Sequence, residues 1–311
     1  MEDLKDKFSK IPFFVRIFEH NDKIVIWNDN KIKIEIDKNS ELLKKENFVD
    51  SMVKIFSEKI EKKYNEMKNR RVSVIIPNYN NEIFIKKTID SILNNTYPFI
   101  EIIFIDDCST DKSVEIVREN YGNNRRVKIF ENKENRGAYY CRNKGILLSS
   151  GYYITVVDGD DYIEKDKLEY EVNRLNELGD EYWGYGTRFQ RIYFKDNIEN
   201  VTHINRSNSF VFLFKRKLFN YLGFFQNNRF GADSEFYKRS KIFNYELFCD
   251  KEKVFYNAYT VSGKNLTQIH RVDERREYMD RCSVKIKKRE YIEMALLDEL
   301  DDFKEIIGMN N

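Results

Sequence analysis

From Arg71 onward the sequence predicts an α/β fold: a mostly parallel sheet flanked by helices, with an α+β extension ahead of it. Three observations carry this. Short runs rich in β-branched residues alternate with amphipathic stretches of helical period between residues 72 and 157. Each run ends in polar or acidic residues, as strands do where an open sheet meets a ligand. The apolar texture also changes at Arg71, the one domain boundary the sequence marks plainly.

Residues 1–70 come first. Phe13 to His20, Lys23 to Trp27 and Lys31 to Asp37 read as short strands, because Ile32, Ile34 and Ile36 alternate with Lys31, Lys33 and Glu35. Asn28-Asp29-Asn30 supplies turn residues between two of them. Ser40 is placed to cap a long helix running to about Asn69, with Leu42, Val49, Val53, Phe56, Ile60 and Met67 near heptad spacing. That stripe reads as packing on the chain's own domain; a homodimer seam through the 40–69 helix is the sharper alternative.

The α/β region follows. Val72 to Pro77 is a buried strand stopped by proline. Ile85, Ile89, Ile92 and Leu93 share one helix face. Glu101 to Ile105 is a second strand ending in Asp106-Asp107, and Ser113 to Asn120 a helix. Val127 to Phe130 is a third strand, Ala138 to Leu148 a helix, and Tyr152 to Val157 a strand ending at Asp158. Beyond Asp161 the pattern predicts a helix over Lys165 to Leu178, a Gly- and Tyr-rich segment to Thr187, and strands at Arg188 to Phe194 and Ser209 to Lys215. A helix before Gly223, another over Ser234 to Phe243, and a charged helical tail over 273–311 complete the reading. The core domain is thus expected over 71–272.

Composition excludes several classes. Lys+Arg (54) nearly cancels Asp+Glu (52), leaving a net charge of +2, so no basic footprint points to nucleic acid. Three Pro and 12 Gly in 311 residues argue against disorder or a fibrous repeat. Cys108, Cys141, Cys249 and Cys282 are scattered without metal or redox spacing and fit a reducing compartment. Met1 to Asp6 is charged, with no apolar leader, and no apolar run approaches the ~20 residues of a spanning helix. A cytoplasmic protein is expected. Contact with acidic lipid through Lys285 to Arg289 is the peripheral-membrane alternative to a solvated helix face.

Four segments could carry chemistry: Pro77-Asn78-Tyr79-Asn80, Asp106 to Asp111, Asp158-Gly159-Asp160-Asp161, and Gly231-Ala232-Asp233-Ser234-Glu235. Three acids in four residues at a strand end repel each other unless a cation lies among them, and hard divalent cations bridge carboxylates to diphosphate. Gly159 gives a tight turn and close approach. Asp106 or Asp107 could accept a hydrogen bond from a base or ribose, or simply cap a helix. Tyr79 could stack on a base or simply pack. Neither a G-x-G-x-x-G nor a Walker loop is present, so any bound diphosphate would rely on a metal for neutralisation.

Together these pieces resemble glycosyltransferase family 2, whose fold is the Rossmann-like GT-A architecture. The resemblance rests on Val72 to Asn80, Ile105 to Asp111, Asn135-Arg136-Gly137, Arg142 to Ile146, and Gly151 to Ile154 leading into Asp158-Gly159-Asp160-Asp161. It makes 71–175 the nucleotide-binding half and 176–272 the acceptor half. It implies that Pro77 and Tyr79 hold the base and Asp107 contacts it. Arg136 lies near the nucleotide, Asp158 and Gly159 near ribose and diphosphate, and Asp160 binds Mn²⁺ or Mg²⁺. Asp233 aligns with the base of the family's Glu-Asp segment, though Ala232 stands where the first acid is usual; Glu235 is the fallback. His270 is a candidate metal ligand, as is His203 more weakly. Tyr182, Trp183 and Tyr185 could form a sugar platform or pack in the core. The implied activity is inverting transfer of a sugar from a nucleotide-diphosphate donor, UDP by family habit, to an acceptor hydroxyl of a glycan or glycoconjugate, as in polysaccharide biosynthesis. The alternatives are an inactive nucleotide-sugar-binding module and, from another class, a nucleotidyltransferase.

Overall fold

A computed structural model of the chain describes residues 16–20, 23–28, 32–37, 40, 50–52, 54–55, 57–59, 70–195, 198–205, 211–226 and 231–260. Two units emerge from its contacts, Met1–Arg70 with Arg216–Gly223, and Arg71–Lys215 with Phe224–Asn311. The first contains an antiparallel meander of β1 (Arg16–His20), β2 (Lys23–Asn28) and β3 (Ile32–Asp37). Its register sets Ile24 against Ile36 and Ile26 against Ile34, following the alternation in the sequence. Helical residues recur within 50–59, and a five-residue helix spans Leu218–Leu222. Most of the helix expected over 40–69, and with it the seam, lies outside the described residues, as do His270, Lys285 to Arg289 and the 273–311 tail.

The second unit is built on a nine-stranded sheet. Its parallel part comprises β4 (Val72–Asn78), β5 (Ile100–Asp106), β6 (Val127–Glu131) and β7 (Tyr153–Val156), in the order β6-β5-β4-β7. All seven residues of β4 and of β5 are buried, so apolar residues dominate both, with Ser73 and Glu101 the polar residues within them ahead of Asn78 and Asp106. The connecting helices are α1 (Ile85–Leu93), α2 (Ser113–Tyr121) and α3 (Ala138–Leu148). Helix α3 lies close on β4: a Cβ on Gly145 would sit 2.4 Å from Ile75 Cγ2. Registers Asn78↔Asp106 and Asp106↔Glu131 bring the polar strand ends side by side.

Beyond β8 (Tyr162–Ile163) and α4 (Lys167–Glu177), the sheet turns largely antiparallel. It continues from β7 through β11 (Phe212–Lys215) and β9 (Tyr182–Lys195) to β12 (Glu246–Thr260) and β8, with β10 (Ile198–Asn205) also on β9. Strand β11 is antiparallel to both β7 and β9, whereas β12 runs parallel to β9. Here the structure departs from the sequence reading. The Gly- and Tyr-rich segment is the first part of β9, and β10 and β12 were not expected. Gly184 and Gly186 are strand residues because neighbours cross them: a Cβ would meet Leu247 Cδ2 at 2.9 Å and Phe212 Cδ1 at 2.8 Å. Helix α5 (Ala232–Ile242) follows Gly231, which holds φ +77° at its N-terminus.

Candidate active site

The site forms where β4, β5 and β7 end. Pro77 lies in β4 beyond the last β4–β7 pair, Ile75↔Val156, so its missing N–H breaks no ladder bond there. Its carbonyl accepts the Gly159 N–H at 3.0 Å. Tyr79, just past the strand, is 49% exposed, a free ring face beside the buried strand ends. Asn80 follows in the left-handed region at φ 55°, its N–H donating to Ser109 Oγ and its Oδ1 accepting from Thr110 N–H.

The two acids after β5 have different duties. Asp106 accepts from Asn78 Nδ2 (2.8 Å), Ser109 N–H (2.8 Å) and Ser109 Oγ (2.6 Å), and so folds the 106–109 turn in which Cys108 holds φ 65°. Asp107, also buried, accepts from the Arg136 N–H (2.8 Å), the Gly137 N–H (2.7 Å) and Asn132 Nδ2 (2.8 Å). It therefore fastens the 132–137 loop. With these three donors on it and the Cys141 thiol also hydrogen-bonded to it, the carboxylate is engaged chiefly within the protein. Arg136 stands over the Tyr140 ring at 4.5 Å and pairs with Glu134 at 3.3 Å.

The acidic loop is held from several sides. Arg142 Nη2 reaches both oxygens of Asp158, at 2.7 and 2.9 Å. This pair and the neighbouring Tyr139 raise the guanidinium's proton affinity despite burial. Asp160 is half-buried, and burial, then the Asp158 charge, push its carboxyl up to about 7. Asp161 is raised well above the carboxylate range by burial and by both neighbouring acids. Its oxygens accept from Tyr256 Oη (2.8 Å) and the Tyr259 N–H (2.9 Å), so it ties β12 to the loop. Gly159 lies in the tight turn closed by the Asp161 N–H on the Asp158 carbonyl at 2.9 Å, without a positive φ. Space is what requires it: a Cβ would lie 2.5 Å from Asn78 Oδ1 and 3.1 Å from the Pro77 carbonyl oxygen.

Among the described residues no group of three His, Cys, Asp or Glu side chains is arranged to hold a metal. The donor set still fits a hard cation held by one carboxylate together with diphosphate and water oxygens. Asp160 offers that carboxylate, in surroundings that disfavour its charge until a cation arrives. His203 lies in β10, opposite Arg191.

Asp233 sits in the first turn of α5 and is 8% exposed. Its Oδ1 accepts from Tyr139 Oη at 2.7 Å, and its Oδ2 has no partner among the described residues. Tyr139 lies under Arg142, whose guanidinium stands 4.6 Å from the ring centroid. Glu235 is fully buried and paired in two-point fashion with Arg239 (2.9 and 2.7 Å), which also donates to the Phe224 carbonyl. That leaves the fallback acid structural. Tyr185 is fully buried and stacked on Phe248 at 5.1 Å, so core packing accounts for it, whereas Tyr182 and Trp183 are half-buried, with Trp183 edge-on to Tyr245.

Tyr139 and Arg142 are side chains of the site to which sequence reasoning assigned no role. Arg142 opens the Arg142 to Ile146 motif, whose residues carried no individual roles. Tyr139 is one of 20 tyrosines with nothing to single it out. Cys108, Cys141 and Cys249 are unbridged, and no helix among the described residues is long and apolar enough to cross a membrane.

Comparison with known proteins agrees with this layout. Residues 73–239 match the model described as Glycosyl transferase family 2. An uncharacterized glycosyltransferase of Haemophilus influenzae is 45% identical over 102 residues, 33% of this chain and 41% of that protein. Glycosyltransferase GlyA of Streptococcus pneumoniae serotype 4 is 30% identical over 237 residues, 64% of this chain and 32% of that one. The chain thus spans under half the length of these relatives. Among solved structures, S. aureus TarS 1-349 in complex with UDP-GlcNAc superimposes with a TM-score of 0.58 at 22% identity, over 69% of this chain and 66% of that one. Mannosyltransferase PcManGT from Pyrobaculum calidifontis, in complex with GDP-Man and Mn²⁺, gives 0.50 at 20%, over 63% and 58%. At these identities the likeness is one of fold.

Proposed function

Because this chain belongs to glycosyltransferase family 2, we propose that it is an inverting glycosyltransferase that moves a sugar from a UDP-sugar to a hydroxyl of a glycan or glycoconjugate. The observation that carries the reading is the convergence of Asp158-Gly159-Asp160 and Asp233 on one helix, α3, through Arg142 and Tyr139. The solved relatives with UDP-GlcNAc and with GDP-Man and Mn²⁺ support a nucleotide-sugar donor and a divalent cation.

In this reading Tyr79 stacks on the base, beside Pro77, and Asp107 contacts the base edge. Asp158, clamped by Arg142, faces the ribose and diphosphate with Gly159 and Arg136. Asp160 would hold Mn²⁺ or Mg²⁺, which when bound neutralises the growing charge of the leaving diphosphate. Asp233 accepts the proton of the attacking hydroxyl on its Oδ2, so the hydroxyl displaces the nucleotide from the opposite face of the anomeric carbon. The inactive-module alternative rests on Ala232. Asp233, held on one oxygen with the other unengaged among the described residues, favours the enzyme.

Calorimetric titration with UDP, GDP and dTDP, with and without Mn²⁺, tests this on wild type and Asp160→Ala. Metal-dependent binding of UDP, lost in the variant, is expected. Binding of no nucleotide would move the inactive module ahead.

A further inference from the structure

We propose that Tyr139 is the positioning residue for the base, and that α3 uses it to register Asp233 against the donor-binding loop. The proposal rests on the reading of Asp233 as base. Three side chains of α3 make the connection. Tyr139 donates to Asp233 Oδ1 at 2.7 Å. Arg142 binds both oxygens of Asp158. Asn143 grips the backbone of Phe225, donating to its carbonyl at 2.8 Å and accepting its N–H at 3.1 Å. The spacing is i, i+3 and i+4, which puts all three on one face of the helix. That face is buried, as are Tyr140, Cys141, Gly145, Ile146 and Leu147.

Each contact has a function of its own. Asn143 fixes the segment leading toward α5, and Arg239 holds the adjacent Phe224 carbonyl from the other side. The Tyr139 hydroxyl then selects which carboxylate oxygen of Asp233 is engaged and which is left for the incoming proton. Because the Arg142 guanidinium covers the Tyr139 ring at 4.6 Å, the ring has little freedom while Asp158 is held. A rotation of Asp233 away from its bonded oxygen would take the base out of reach, and misplacement on the ångström scale is costly in rate.

The test measures nucleoside-diphosphate release from a panel of UDP-, GDP- and dTDP-sugars with Mn²⁺ and water as acceptor. Tyr139→Phe keeps the ring beneath Arg142 and removes only the hydroxyl. Its kcat should fall about tenfold or more, with donor KM and UDP affinity within about twofold of wild type and the melting temperature little changed. Tyr139→Met is a second hydroxyl-free variant should the first fail to fold. A wild-type kcat in Tyr139→Phe, or a parallel change in kcat, KM and melting temperature, would overturn the proposal. If Asp233→Asn itself releases nucleotide like wild type, the base assignment fails instead. Should wild type release none from any donor, enzyme and inference fall together.

Discussion

At the scale of single residues, the site depends on contacts that one atom can undo. A methyl group at residue 159 would overlap Asn78 Oδ1, itself buried, and press on the Pro77 carbonyl oxygen. Gly159→Ala is therefore expected to cost about 1–3 kcal/mol in chemical denaturation and to weaken nucleotide binding in the same calorimetric assay. Asp107→Ala leaves three donors of the 132–137 loop without their charged acceptor. A loss of roughly 2–4 kcal/mol is expected, with lower UDP affinity; unchanged stability would show that the loop is held elsewhere. The motifs made the acids visible in the sequence. What each acid holds was not visible, because Asp106 and Asp107 differ only in partners 3 to 30 residues away.

Elements show the same division between pattern and partner. Helix α3 was legible close to its ends, between Gly137 and Ser149, despite the poor helix formers Asn143 and Gly145 within it. The first part of β9, Tyr182 to Thr187, and the 15 residues of β12 were not. Gly184 and Gly186 look like loop residues until the crossing side chains are known. Asp250 to Lys253 interrupt β12 with charges where its register against β9 shifts. Strand pairing near the opposite end of β4 and β5 depends on Glu101. This buried carboxylate is held at about 2, because hydrogen bonds from Ser73, Lys128 and Ser150 outweigh the burial that would raise it. Its contribution is present above the ordinary carboxylate range near pH 4.5 and is lost as pH falls toward 2. Glu101→Gln should therefore be less stable than wild type by roughly 3 kcal/mol at neutral pH, with the gap closing below pH 4.5 in urea titrations at stepped pH.

For the whole α/β unit, the sheet changes character at β7, where the parallel strands end and antiparallel β11 begins. Donor recognition falls on one side of that change in chain order and Asp233 on the other. The two should separate experimentally: Asp233→Asn is expected to abolish transfer while UDP affinity with Mn²⁺ stays within about twofold, and loss of binding would make Asp233 structural. The linkage through α3 also decides what alterations the chain can inherit. Tyr139, Arg142 and Asn143 all act from one face, and one added or deleted residue ahead of them within the helix turns that face by roughly 100°. All three contacts would go at once, whereas a replaced side chain loses one. Over descent the stretch from Gly137 to Gly145 should therefore keep its length, while insertions collect in the loops around it.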